Sequence, residues 1–374
     1  MSATTVQVPF FSGRRSAARE RDAVEARVRG WLEGGEDPLA ELAARLSALT
    51  GSRHVVPVGS ASDALIVLLR AAGVGPGDEV VVPAYTFFAS ASSVIHVGAE
   101  PVFVDVEPET YAIDPEAATR AFTRATKAIM PVHLFTQMAD LPRICAAARE
   151  HDVLVLEDSA EAIGMRLGSQ HAGTFGLGGV LSFFPTKTLA AIGDAGAVMT
   201  DDDALAERAR LLASRGATRE GDHLEIGYDT RCDQLQAAVL LCRLDRLDAD
   251  VVRRAEIAAR YDARLGELAP HVSVPTLRPS DPPSTYVYYV YSIECDRRDD
   301  LVAHLDRRGV GTETYYPWPL TEQPCLRGRP GIRFDVPVAQ RLSQRAVGLP
   351  MYPDLSDEDV EHVCDAIADF YETS

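Results

Sequence analysis

Between residues 54 and 214 short apolar runs alternate with helical patterns, and this alternation restricts the folds open to the chain more than any other feature. Runs at 54–58, 79–82, 101–106, 127–132, 153–157, 180–184 and 196–200 have the length and apolar content of buried strands. Helical spacing fills the intervals at 64–72, 86–97, 114–124 and 141–151, and returns at 204–214. Seven such strands, most separated by helices, are the signature of a largely parallel sheet covered on both faces. The expected fold class is α/β, with a mainly parallel seven-stranded sheet sandwiched by helices. Helical patterns at 16–31 and 38–49 precede the sheet as an entry arm, the second stopped by Gly51. Helical units at 233–247 and 251–268 follow it. Prolines then cluster at Pro270, Pro275, Pro279, Pro282 and Pro283, and residues 286–294 alternate like an amphipathic strand. With helices expected at 299–308, 337–349 and 356–370, this texture marks a smaller C-terminal α+β domain at 251–374 after a large domain at 1–250.

Charge and cysteine usage narrow the function classes. The net charge of −18, from 37 basic and 55 acidic side chains, repels polyanions, so neither nucleic acid nor an anionic membrane is an expected partner. Any phosphate-bearing ligand must be held locally. The run Asp201-Asp202-Asp203 reads as a solvated turn and helix start, with no His or Cys beside it to suggest a metal. Six scattered cysteines without CxxC spacing read as reduced, mostly buried thiols. No signal-peptide pattern and no apolar run near the roughly 20 residues of a membrane span occur, so a cytoplasmic location is expected.

In parallel sheets ligands gather beyond the strand carboxyl ends. The residues just past those ends are Ser62, Tyr85 to Phe87, His133, Asp158 and Lys187. Taken singly each has an ordinary reading: Ser62 or Asp63 as a helix N-cap, Asp158 as a cap, Phe87 as core, Lys187 as a loop lysine. Together they match the needs of one cofactor, pyridoxal phosphate (PLP). It requires a lysine for an imine, a carboxylate for the ring nitrogen, an aromatic wall and donors for a phosphate. Lys187, Asp158, Phe87 and the small-residue turn at Gly59 to Asp63, which leads into a helix, fill those places. Ser182 lies five residues before Lys187 on the strand that delivers it.

Several stretches carry a closer resemblance: Val82-Pro83-Ala84-Tyr85-Thr86-Phe87, Pro131-Val132-His133-Leu134, Glu157-Asp158-Ser159-Ala160, Ser182-Phe183-Phe184-Pro185-Thr186-Lys187, Gly193-Asp194-Ala195-Gly196 and Leu349-Pro350-Met351-Tyr352-Pro353. In these the chain resembles the DegT/StrS family of PLP-dependent sugar aminotransferases, of the fold type I superfamily. The resemblance implies that residues 1–250 bind PLP and that Lys187 forms the imine and shuttles the proton. It implies that Asp158 pairs with the ring nitrogen, that Phe87 stacks on the ring, and that Ser62, Ser182 and the amides of Ala61 and Asp63 hold the phosphate. It also implies a homodimer with shared active sites, Arg231 being the residue that would reach the neighbouring phosphate, or else pair with Asp229 or Asp233. His133, Tyr315 and Tyr316 are candidate substrate contacts, His133 having a structural reading as well.

The chain leaves the family pattern at four places. Glu161 replaces a Gln that donates toward the cofactor's phenolic oxygen; an ionised carboxylate only accepts, so Glu161 is protonated or shares a proton with that oxygen, or else turns outward to solvent. Ser60-Ala61-Ser62 stands for Asn-Gly-Thr, Thr136 for Gly, and Tyr315 and Thr321 for two histidines on the substrate side. The function implied is transfer of an amino group from L-glutamate or L-glutamine to a keto-sugar, most simply a nucleotide-linked one, with the pyridoxamine form of the cofactor (PMP) as the halfway state. A keto-cyclitol aminotransferase of the aminoglycoside type and a non-catalytic binding or regulatory protein are the alternatives. A sugar dehydratase with His in place of the lysine is opposed by Lys187.

Overall fold

The computed structural model describes residues 7–11, 13–218, 220–329 and 335–372, with the side chains of 13–19 excepted. Seven strands form the main sheet: β1 (His54–Val58), β2 (Glu79–Pro83), β3 (Glu100–Val104), β4 (Thr126–Ile129), β5 (Leu154–Asp158), β6 (Gly178–Ser182) and β7 (Gly196–Thr200). Their spatial order is β1-β7-β6-β5-β4-β2-β3. The pairs from β3 through β6 are parallel, while β7 runs antiparallel to both β1 and β6. Every residue of β6 and β7 is buried, the pattern of strands covered on both faces.

Helices α1 (Gly13–Leu32) and α2 (Pro38–Thr50) precede the sheet. Asp37 caps α2, Pro38 opens it, and Gly51 closes it at φ 79°, a conformation that glycine adopts without strain. Between strands lie α3 (Ala61–Ala71), α4 (Phe88–His96), α5 (Pro115–Ala121) and α6 (Leu141–Glu150), and α7 (Asp203–Ala213) follows β7. Asp202 caps α7 through the Leu205 amide at 2.7 Å, so the acidic run opens a helix. Helix α3 starts at Ala61, three residues earlier than its apolar spacing suggests, because Ser60 takes the cap.

Helices α8 (Gln234–Leu244) and α9 (Leu247–Leu265) come next, α9 running through the expected boundary at 250/251. A second, antiparallel sheet has the order β8 (Val272–Ser273), β9 (Tyr291–Cys295), β10 (Ala346–Leu349). It packs with α9, α10 (Arg298–Arg307) and α12 (Asp357–Glu372) in a core that includes Ile257, Tyr261, Leu301, Ile293, Val347 and Ile367. Two expectations are corrected here. The helix at 337–349 stops at Arg345 as α11 (Pro337–Arg345), and its last four residues form β10. Residues 286–294 are not an amphipathic strand, since β9 begins at Tyr291 and all five of its residues are buried. Its polar Glu294 is buried because Arg341 of α11 pairs with it at 2.6 Å. Residues 7–11 also join this unit: Gly311 N–H donates to the Val8 carbonyl at 2.8 Å, and Val8 is fully buried.

Candidate active site

The ends of the central strands open on a cavity of about 460 Å³. Lys187 enters it five residues past β6, which ends at Ser182 and not at Phe184 as expected, and the Lys187 amide donates to the Phe184 carbonyl at 2.8 Å. The loop that follows is pinned from α8. Gln236 Oε1 accepts the amides of Ile192 and Gly193, each at 3.0 Å, and Arg243 donates to the carbonyls of Ala190 and Ala191 and to Glu20.

Lys187 Nζ lies 3.1 Å from Glu161 Oε1 and 4.3 Å from the centre of the Tyr289 ring. Burial works against the ammonium, but the charge of Glu161, then Tyr289, the Glu161 hydrogen bond and Asp158 outweigh it and hold Lys187 above the ordinary lysine value. Glu161 is only 8% exposed, and its Oε2 accepts the Phe135 amide at 2.8 Å, so it faces the cavity rather than solvent. Tyr289 is held in turn: its hydroxyl lies 3.1 Å from Thr186 Oγ1, and its carbonyl accepts from the buried Arg254 of α9 at 3.3 Å.

Asp158, the last residue of β5, also lines the cavity and is 4% exposed. Its Oδ2 accepts from Ser90 Oγ at 2.8 Å and its Oδ1 from the Ala160 amide at 3.2 Å. Phe87, the N-cap residue of α4, stands on the wall with 60% of its surface exposed. At the start of α3, Ser60, Ala61 and Ser62 line the cavity, Ser62 exposed at its rim. Here the expected anion donors change. Ser60 Oγ accepts the Asp63 amide at 3.1 Å and donates to Asp63 Oδ2 at 2.9 Å, so that amide is spent on the cap and Asp63 does not line the cavity. Ala61 and Ser62 supply the outward amides of the first turn. Gly196 lets the backbones meet, since a Cβ there would stand 2.6 Å from Ala61 N. Ser182, 7% exposed, lies on the same side.

Two other candidates stand apart. His133 is fully buried and outside the cavity lining. Its Nδ1 accepts the Ala139 amide at 3.2 Å, which leaves Nε2–H to donate to Glu157 Oε2 at 3.0 Å. Glu157 also accepts three amides, those of Gly173, Phe175 and Gly176, and both ring nitrogens of His133 are taken within a buried network. Arg231 is exposed and bridges Val58 through its backbone. Its two candidate ion-pair partners are engaged elsewhere, Asp229 with Arg215 and Asp233 with the Leu235 amide. Tyr315 and Tyr316 do line the cavity, fixed by a hydrogen bond from the Tyr85 hydroxyl to the Tyr315 carbonyl and by Phe135 stacked 6.2 Å from Tyr316. Burial holds both phenols above their usual value, so both are neutral donors.

An amine, a buried carboxylate and a helix N-terminus around one cavity fit pyridoxal phosphate. The profile of the DegT/DnrJ/EryC1/StrS aminotransferase family matches residues 15–368. The chain belongs to this family. Among relatives, this aminotransferase is 40% identical to a pleiotropic regulatory protein of Geobacillus stearothermophilus, over 90% of each chain. It is 35% identical to dTDP-3-amino-3,4,6-trideoxy-alpha-D-glucose transaminase of Streptomyces venezuelae, over 99% of this chain and 98% of the other. The crystal structure of DesV from S. venezuelae superposes with a TM-score of 0.93 at 34% identity, covering 98% of this chain and 99% of that one. Solved relatives occur in PLP and PMP forms, and the enzyme is a PLP-dependent aminotransferase.

Three cavity residues, Tyr289, Thr186 and Phe11, were not singled out from sequence, nor was Ser90, which orients Asp158 from behind the cavity wall. One available signal lay in composition, because the chain has only two lysines, Lys127 and Lys187. Lys127 is exposed on β4, which leaves Lys187 as the one lysine in the cavity. Among the described residues no cluster of His, Cys, Asp or Glu has metal-binding geometry, and no helix is long and apolar enough to cross a membrane. All six cysteines are unpaired.

Proposed function

We propose that this aminotransferase converts the keto group of a nucleotide-linked sugar to an amine, with L-glutamate as donor, in the assembly of a secondary metabolite or surface glycan. The observation that carries the reading is the convergence of Lys187, Asp158 and the start of α3 on one cavity, in a chain whose relatives include a dTDP-sugar transaminase. The cofactor, when bound, supplies the electron sink that makes a carbon–hydrogen bond beside the amine acidic. The chain supplies the rest. Lys187 Nζ holds and moves the proton. Asp158, oriented by Ser90, places a negative charge for a protonated ring nitrogen. Ala61, Ser62 and Ser182 bind the phosphate, Phe87 covers a ring face, and Tyr315 and Tyr316 offer hydroxyls to a sugar. The site works as a homodimer in this reading: the exposed apolar side chains of Phe87, Phe184, Ile192 and Leu235 suit burial against a second copy, and exposed Arg231 suits reach into its site. Six unpaired thiols support a reducing, cytoplasmic setting.

The test is to load the enzyme with glutamate, remove the donor, and screen nucleotide keto-sugars and keto-cyclitols for return of the pyridoxal absorbance. Return with a nucleotide keto-sugar supports the proposal. Turnover of a cyclitol alone moves the substrate to the other class.

A further inference from the structure

We infer that Glu161 is the charge partner of Lys187, a positioning residue that holds the ε-ammonium in the cavity and keeps the amine in its protonated form. This deepens the reading above, which gives Lys187 its chemistry. The carboxylate has both oxygens committed: Oε2 to the Phe135 amide at 2.8 Å, Oε1 to Nζ at 3.1 Å. Phe135 is itself fixed, with φ at 62° and its ring stacked on Tyr316. A carboxylate anchored by one oxygen presents the other at a defined place, and Lys187 is the cation it meets.

The groups facing Nζ narrow the assignment. Asp158 is the other buried carboxylate of the cavity, but its Oδ2 is taken by Ser90 and its Oδ1 by Ala160. Tyr289 offers its ring face, and Tyr315 and Tyr316 are neutral phenols. Asp194 lines the cavity from an exposed position before β7. Glu161 is the carboxylate in hydrogen-bond contact with the ammonium, and the raised lysine value agrees with that geometry. An amine attacks a carbonyl carbon only as the free base. By holding the proton on Nζ, Glu161 keeps Lys187 out of that form until the ion pair is broken. A glutamine at this position keeps the shape and the bond to Phe135 but carries no charge to hold the ammonium.

Having only two lysines makes the test direct. The full-length protein, freed of cofactor, is labelled with limiting acetic anhydride from pH 6 to 11, and the Lys187 and Lys127 peptides are followed by mass spectrometry. Lys187 is expected to titrate above the ordinary lysine value in the wild type. In Glu161→Gln its midpoint falls and labelling at pH 8 rises several-fold, with Lys127 unchanged as the control for folding. Glu161→Asp, which keeps the charge, retains most of the raised midpoint. Identical Lys187 profiles in wild type and Glu161→Gln overturn the inference, as does an equal fall in Gln and Asp variants, which would make shape rather than charge the cause. Neither cofactor nor substrate takes part, so this outcome is independent of whether the sugar assignment holds.

Discussion

Asp158 keeps its orientation because a hydroxyl from another element reaches it: Ser90 Oγ, on the first turn of α4, donates to Oδ2 at 2.8 Å. A hydrogen bond to a charged acceptor contributes about 1.5–3 kcal/mol. Ser90→Ala is therefore expected to slow the glutamate half-reaction about tenfold while the fold persists, measured as the single-turnover rate of the PLP-to-PMP absorbance change. The Lys187–Glu161 pair makes a second prediction at this scale. Lys187 is raised in the folded chain, so the pair's contribution is fully present below the unfolded lysine value of about 10.4 and is lost as pH rises through the higher folded value. Because the cavity is open to water, that contribution is about 1–2 kcal/mol, below the cost of breaking a fully buried pair. Urea midpoints of cofactor-free wild type and Glu161→Gln should differ at pH 8 and converge toward pH 11. A gap that widens with pH would contradict the pairing.

At the scale of elements, the start of α3 and the start of β7 are packed backbone to backbone. A Cβ on Gly196 would lie 2.6 Å from Ala61 N and 2.7 Å from the Ser60 carbonyl oxygen, neither of which can swing aside as a side chain would. This glycine is needed for close approach of the two backbones. Gly196→Ala is expected to push the first turn of α3 outward and weaken binding of pyridoxal phosphate at least tenfold, read by fluorescence titration, with a loss of stability of about 1–3 kcal/mol from overpacking. The strands were legible in sequence because a sheet buried on both faces writes each strand as an apolar run between helical patterns. β10 was not, because Ala346–Leu349 continues the apolar spacing of α11 and only pairing with β9 makes it a strand. The same holds for Glu294, a polar residue in a strand with no outward face.

Across the whole molecule the cavity depends on segments that are distant along the chain. Phe11 lines it from the N-terminal segment, which is tied at Val8 to Gly309 and Gly311 beyond α10. Phe10 stands 6.0 Å from the Tyr315 ring and so braces the same wall. Phe11→Ala is expected to raise KM for the sugar several-fold with little change in the glutamate half-reaction, a split that steady-state and single-turnover kinetics separate. Equal effects on both halves would give Phe11 a purely structural role.

The sequence by itself determined the alternating α/β sheet, the delivery of Lys187 and Asp158 at strand ends, and membership of the aminotransferase family, because these rest on local periodicity and on short ordered motifs. Tertiary structure alone decided which groups meet. It turned Glu161 inward onto Lys187, brought Tyr289 and Phe11 to the cavity and Ser90 onto Asp158, gave the α3 cap to Ser60 in place of Ser62 or Asp63, and withdrew His133 into a buried network with Glu157. The reason is physical: the direction a polar side chain takes follows from the partners that burial leaves available, and those partners lie on elements far apart in sequence.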